Sequence, residues 1–141
     1  MPALANIVVN DGAGTPVSHT FNPLELSDGY VFEDRSGGIP IGYHSIFFKM
    51  KRPPTSSRTD QERVARVTLN VSFTVLEQTS PSTGTGIEPA PTVAYVLRSN
   101  QEWLLPMRST QQNRKDLRAI TANTLADTNV KKVLEDLDFW Y

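Results

Sequence analysis

One segment constrains this chain more than any other. Within Val64–Glu77, the residues Val67, Leu69, Val71, Phe73 and Val75 alternate with Arg66, Thr68, Asn70, Ser72 and Thr74. A sustained period of two means a β-strand with one buried face and one face turned to water or a ligand. At about 3.3 Å per residue the segment would span roughly 46 Å if straight. That is long for a small domain and suits a sheet that forms a wall.

Strands precede it. Asn6–Asn10 is short and β-branched, Asp11-Gly12-Ala13-Gly14 supplies turn chemistry, and Val17–Phe21 resumes the alternation. This predicts an N-terminal hairpin within residues 1–22, ended by Asn22-Pro23 because proline has no ladder N–H. Gly29–Arg35 reads as a third strand, broken by Ser36-Gly37-Gly38 and Pro40. Tyr43–Lys51 reads as a fourth, with Tyr43, Ser45, Phe47 and Lys49 on one face and His44, Ile46, Phe48 and Met50 on the other. After the long strand, residues 79–91 are rich in Ser, Thr, Gly and Pro, a loop long enough to suggest a role. Thr92–Leu105 is the last strand and Pro106 stops it.

Helices come last, within 109–138. Ser109 with Gln112 matches a capping box, and Leu117, Ile120, Thr121 and Thr124 line one helix side. Asp127 or Thr128 caps a second helix, where Val130, Val133, Leu134 and Leu137 recur at i, i+3, i+4 and i+7. The chain closes on Phe139-Trp140-Tyr141, an aromatic end expected to dock on its own or a partner chain. Runs of strands followed by helices predict an α+β fold in which the helices cover one sheet face. The 141 residues fit a single domain, 1–141, whose sheet occupies 29–106.

Composition then limits function. Hydrophobic residues make up 38 %, a modest share that shared burial with a partner chain would supplement. There is no cysteine and only His19 and His44, so neither thiolate chemistry nor a dedicated zinc site is expected, and no cofactor is implied. No apolar run approaches the roughly 20 residues of a membrane helix. The opening residues lack a secretory pattern, so the host cytoplasm is the expected place of synthesis and no membrane partner is expected. The net charge of −1 is unevenly spread. Between His44 and Arg66, Lys49, Lys51, Arg52, Arg58, Arg63 and Arg66 face only Asp60 and Glu62, whereas the tail is acidic. Scattered solvated charge is the plainer account of that asymmetry.

The opening NIVVNDGAGTPVSHTFNP, the long strand with its Gly/Pro loop followed by TVAYVLRSNQEWLLP, and the two terminal helices together resemble the coat proteins of single-stranded RNA bacteriophages, the leviviruses. The resemblance spans nearly the whole chain. It implies an N-terminal hairpin, a five-stranded antiparallel sheet and two helices, with two chains interlocked as a homodimer. It further implies that dimers build a small icosahedral T=3 capsid around the RNA genome, the 79–91 loop gathering at the symmetry axes. The location is then the virion.

The same resemblance implies an RNA-facing set. In the last strand the family's Asn-x-Glu pattern falls on Asn100 and Glu102, with Arg98 at the preceding same-face position. In the strand before it the matching face is Arg66, Thr68, Asn70 and Ser72; earlier still it is Ser45, Phe47 and Lys49, with Tyr43 at the edge. Arg98 replaces an aromatic on which the family stacks a base, and its guanidinium plane can also stack. Independently of the family, Lys and Arg suit phosphate, Thr, Asn and Ser suit base edges and the 2′-OH, and Tyr43 or Phe47 suits stacking. The candidate ligands are genomic RNA and, more narrowly, a translational-operator hairpin.

Other signals are weaker. His19 and His44 read as ordinary sheet residues. Glu33 and Asp34 point to opposite faces and cannot act jointly as acid and base. Gly84-Thr85-Gly86 lacks the rest of a phosphate loop. Lys49, Lys51 and Arg52 suit either RNA phosphate or a solubilising strand edge. No catalytic residue is expected, because no nucleophile–base pair is visible. The alternative to a capsid protein is a dimeric RNA-binding protein that uses the same sheet without forming a shell.

Overall fold

A computed structural model of the chain describes residues 3–54, 63–78 and 86–140. Six strands form one sheet in sequence order: β1 (Ile7–Asn10), β2 (Ser18–Leu26), β3 (Gly29–Asp34), β4 (His44–Lys51), β5 (Val64–Glu77) and β6 (Thr92–Pro106). A short 3₁₀ turn, Pro40–Gly42, leads into β4. Two helices follow, α1 (Gln111–Ala126) and α2 (Thr128–Glu135). No helix among the described residues is long and apolar enough to cross a membrane. The chain gathers into two compact units, one holding β1 to β4 with most of β5 and β6, the other holding both helices.

Within the sheet unit, the hairpin is not separate from the sheet. β2 runs through Asn22-Pro23, so there are six strands rather than a hairpin beside five. The reason is edge geometry. β1 pairs with β2 only from Asn10↔Ser18 to Ile7↔Phe21, while β3 pairs from Phe21↔Asp34 to Leu26↔Gly29. Pro23 therefore lies where β2 has no β1 neighbour, and its missing N–H leaves no ladder bond unmade on that side. Asp11 holds the hairpin turn as expected. Its Oδ1 accepts from the backbone N–H of Ala13 (3.2 Å) and of Val17 (2.9 Å), and its own N–H donates to Val17 O (3.0 Å).

The register sorts the two faces. Ile46↔Val71, Phe48↔Leu69 and Met50↔Val67 share one face with Phe32↔Ile46 and Ile7↔Phe21. Phe21, Phe32 and Ile46 are buried there, with Ile7, Phe48 and Leu69 packed around them and the rings of Phe32 and Phe48 edge to face at 5.8 Å. Burying each such side chain contributes about 1.5–3 kcal/mol, so this small cluster is the main apolar anchor of the sheet. It does not extend across β5 and β6. Phe73 is 45 % exposed, and Leu97 is 56 % exposed.

The helical unit is amphipathic without being buried. Thr110, not Ser109, caps α1: its hydroxyl accepts from Asn113 N (3.1 Å), while Ser109 Oγ donates to Pro106 O (2.6 Å). Gln112 donates to Asp116 Oδ1 (2.6 Å) rather than turning back to complete a capping box. Asp127 caps α2, accepting from the N–H groups of Asn129 and Val130. Leu137, at φ 57°, ends it in the left-handed region, and Asp138 N–H reaches back to Lys132 O at 3.4 Å. Leu117, Ile120, Leu125 and Leu134 are exposed on the helices, as are Phe139 and Trp140, whose rings meet edge to face at 5.3 Å. Tyr141 lies outside the described residues.

Candidate nucleic-acid interface

The face opposite the core carries the polar alternates. Ser45↔Ser72, Phe47↔Asn70, Lys49↔Thr68 and Lys51↔Arg66 are cross-strand partners, so β4 and β5 present these eight side chains on one face. Arg66 Nε meets Glu102 Oε1 at 2.9 Å, which brings Glu102 of β6 to the same face. Strand alternation from Glu102 places Asn100 and Arg98 beside it. Tyr43 stands apart: it follows the 3₁₀ turn just before β4, its N–H donating to Pro40 O (3.3 Å), and is half-buried outside the ladder.

Charge on this face is partly spent internally. Lys49 Nζ pairs with Asp28 in the β2–β3 turn. Arg35 pairs with Glu33 at 3.3 Å, both on the polar face by register. No ion pair involves Lys51 or Arg98 among the described residues. The arrangement offers cations for phosphate, short polar groups for base edges and ribose, and the half-buried ring of Phe47 for stacking. Lys51 shares the parity of Lys49 and joins the set. The Asp28 partner of Lys49 had no sequence signal, because that pairing depends on how β3 and β4 align, whereas Glu33 and Arg35 are same-face neighbours two residues apart.

The core face carries a second polar group. His19 Nδ1 lies 2.6 Å from Asp34 Oδ2, and its Nε2 lies 3.5 Å from Asp11 Oδ2. Asp34, only 3 % exposed, also accepts from Ser36 N–H at 3.0 Å. Burial works to raise the Asp34 pKa, but hydrogen bonds from His19 and Ser36 prevail and hold it below the usual carboxylate value. The Asp34 hydrogen bond in turn raises His19. Asp11 is lowered, chiefly by the N–H groups of Val17 and Ala13. His44 stacks on Phe73, ring centroids 4.0 Å apart, and its Nδ1 accepts from Thr74 N–H at 3.2 Å. Glu33 and Asp34 face opposite ways, opposite Ser45 and His44 respectively. No cluster of three or more His, Asp or Glu suited to a metal occurs among the described residues.

Residues 79–85 of the Gly/Pro loop, and Arg58, Asp60 and Glu62, lie outside the described residues. The loop's end returns beside the end of β5: Gln78, the residue after that strand, donates from Nε2 to Pro89 O at 3.1 Å.

Comparison with known proteins places this geometry. A family model described as levivirus coat protein matches residues 2–141. The virus-like particle of bacteriophage ESE058 is similar at 36 % identity and TM-score 0.88, covering 99 % of this chain and 100 % of that one. The virus-like particle of bacteriophage NT-214 shares the fold at 24 % identity and TM-score 0.81, over 99 % and 100 % of the two chains. The bacteriophage GA protein capsid shares it at 13 % identity and TM-score 0.73, over 98 % of each. No curated protein matches the sequence.

Proposed function

The chain belongs to the levivirus coat protein family and is therefore a structural capsid protein, not an enzyme; from that premise we propose that it forms homodimers that assemble into a T=3 icosahedral shell, with genomic RNA held on the polar face of the sheet. The observation that carries the RNA reading is the register. It gathers Ser45, Phe47, Lys49 and Lys51 with Arg66, Thr68, Asn70 and Ser72 on one face, and the Arg66–Glu102 pair adds β6.

The dimer follows from what one chain leaves open. Val71 and Phe73 of β5 are exposed on the core face, and by alternation Tyr95 and Leu97 of β6 lie on it too. β6 is the outer strand of the sheet and runs for 15 residues, an edge that a second copy can extend. Both helices expose apolar side chains of the kind that would cover such a face. In this reading two β6 edges meet, each helical pair covers the partner's apolar face, and the polar faces form one continuous inner surface. The 79–91 loop makes contacts between dimers. Assembly takes place in the cytoplasm of the bacterial host, and a translational-operator hairpin is a preferred RNA of the same face.

The test is expression of the chain alone in bacteria, with negative-stain microscopy and the ratio of absorbance at 260 and 280 nm. Uniform spherical particles rich in nucleic acid are expected. A dimer that binds RNA but never forms particles would instead favour the shell-less RNA-binding protein. A dimer free of nucleic acid would overturn the RNA assignment.

A further inference from the structure

The hairpin overhangs the sheet. β3 stops pairing with β2 at Phe21↔Asp34, and residues 18–20 of β2 continue past that point with only β1 beside them. A side chain crosses this gap: His19, from the overhang, meets Asp34 at the last rung of β3 at 2.6 Å. Its other ring nitrogen faces Asp11 Oδ2, at the hairpin turn, across 3.5 Å. One imidazole thus joins the end of the sheet to the tip of the hairpin. We propose that His19 is a proton-operated latch, fastening the β1–β2 hairpin to the end of β3 while the imidazole is charged and loosening it when the imidazole is neutral.

The chemistry of the two nitrogens sets the direction. An ionised carboxylate only accepts, so the contact with buried Asp34 requires a proton on Nδ1 in either state. Charged His19 also carries a proton on Nε2 and attracts Asp11. Neutral His19 keeps the Nδ1 proton and turns a lone pair on Nε2 toward the Asp11 carboxylate, so that contact becomes repulsive. The Asp34 hydrogen bond meanwhile loses its charge assistance. The groups facing His19 are few. From β1 and its turn come Val9 and Asp11; from β3, Asp34, with Ser36 beyond it; from β4, His44, its ring 6.1 Å away; from β5, Phe73 behind His44. The nearby charges Glu33 and Arg35 pair with each other on the opposite face. The small cavity of about 140 Å³ between Val9, His19, Phe21, His44 and Phe73 is largely apolar; Asp34 is buried beside it, while His19 and Asp11 are partly exposed, so water screens the Asp11 contact more than the Asp34 contact.

The experiment is amide hydrogen exchange on the full-length protein as purified, across mildly acid to alkaline pH and corrected for the intrinsic exchange rate. An NMR titration of the His19 imidazole runs alongside. Protection of β1 and of residues 17–20 should fall as pH rises from the free-imidazole value of 6.5 to the measured His19 midpoint, then level off. The loss should be about tenfold per unit of separation between those two values. Amides of β1 and of residues 17–20 should be less protected than those of β4 at every pH, because the hairpin opens without the rest of the sheet. His19→Asn, whose amide nitrogen sits where Nδ1 does but cannot titrate, should abolish the pH dependence. Asp11→Asn keeps an oxygen for the Ala13 and Val17 N–H groups and should lower the His19 midpoint and shrink the loss. The latch is overturned if hairpin protection is flat across this range, if the hairpin and β4 are equally protected throughout, if His19→Asn leaves the profile unchanged, or if Asp11→Asn leaves the midpoint where it was. None of these readouts depends on RNA binding.

Discussion

The internal pairing of the polar face makes the salt dependence of RNA binding a quantitative test. Arg98 has no acidic partner among the described residues, whereas Arg66 is held by Glu102 at 2.9 Å with both side chains more than half exposed. Each phosphate contact contributes about 0.7 to the slope of log K against log salt for single-stranded RNA and about 0.9 for a duplex. A dimer presents two copies of each side chain. Arg98→Ala should therefore flatten the slope by about 1.4 to 1.8. Between about 0.05 and 0.2 M salt, the mutant should lose about seven- to twelvefold less affinity than the wild type. Glu102→Gln frees Arg66 at little structural expense, since exposed ion pairs contribute about 0–1 kcal/mol. It should steepen the slope by a similar increment and tighten binding at low salt. Fluorescence anisotropy with labelled RNA, at dimer concentrations below assembly, reads both variants. Slopes unchanged in both would show that phosphate meets neither arginine of this face. Weaker binding by Glu102→Gln at an unchanged slope would show that the carboxylate accepts a hydrogen bond from a base rather than competing for Arg66.

Three further outcomes are expected. Ile46→Ala should destabilise by about 2–5 kcal/mol in denaturant unfolding, and Phe73→Ala by about 3–5 kcal/mol although one chain leaves Phe73 45 % exposed, because in the proposed dimer a second chain covers it; a cost below about 1 kcal/mol at Phe73 would mean that no cover arrives. Stability should peak between two pH limits. The lowered pKa values of Asp34 and Asp11 give a contribution present above 3.8 and lost as pH falls through their depressed values, while the raised pKa of His19 gives one present below 6.5 and lost as pH rises through its elevated value. Thermal unfolding against pH checks this, and Asp34→Asn should flatten both limbs. Gly29→Ala should destabilise by about 1–3 kcal/mol, because a Cβ there would stand 2.5 Å from the backbone oxygen of Phe48, which no rotamer change relieves; no measurable change in unfolding would refute that contact.

Much of the architecture was legible where a local pattern carried it. The alternation of Val64–Glu77 returned the bounds of β5, and its parity sorted Arg66, Thr68, Asn70 and Ser72 onto one face; that Ser45, Phe47 and Lys49 share that face was implied by the family resemblance and follows from the β4–β5 register. Asp127 capped α2 as its chemistry suggested. The misses share a cause. Proline ends a strand only where its N–H side is paired, and whether β2 has a neighbour at Pro23 is decided by how short β1 is. Ser109 and Thr110 are both capping types; the choice fell to Thr110 because Ser109 was taken by Pro106 O. His19 and Asp34 are 15 residues apart, and only the β2–β3 register brings them together. Lys49 looked like a free cation until the turn holding Asp28 folded against it.

β2 joins its neighbours as a lap joint does: one end is glued to β1, the other to β3, and the overlap is the single residue Phe21. Mechanically, the hairpin is a cantilever. It can tilt or twist about Phe21 without breaking a rung of the β2–β3 ladder, and its stiffness rests on the packing of Phe21 and Ile7 and on the His19–Asp34 contact rather than on continuous pairing. A wall built from such plates keeps a fixed curvature in its panels and puts its compliance into flanges at their margin.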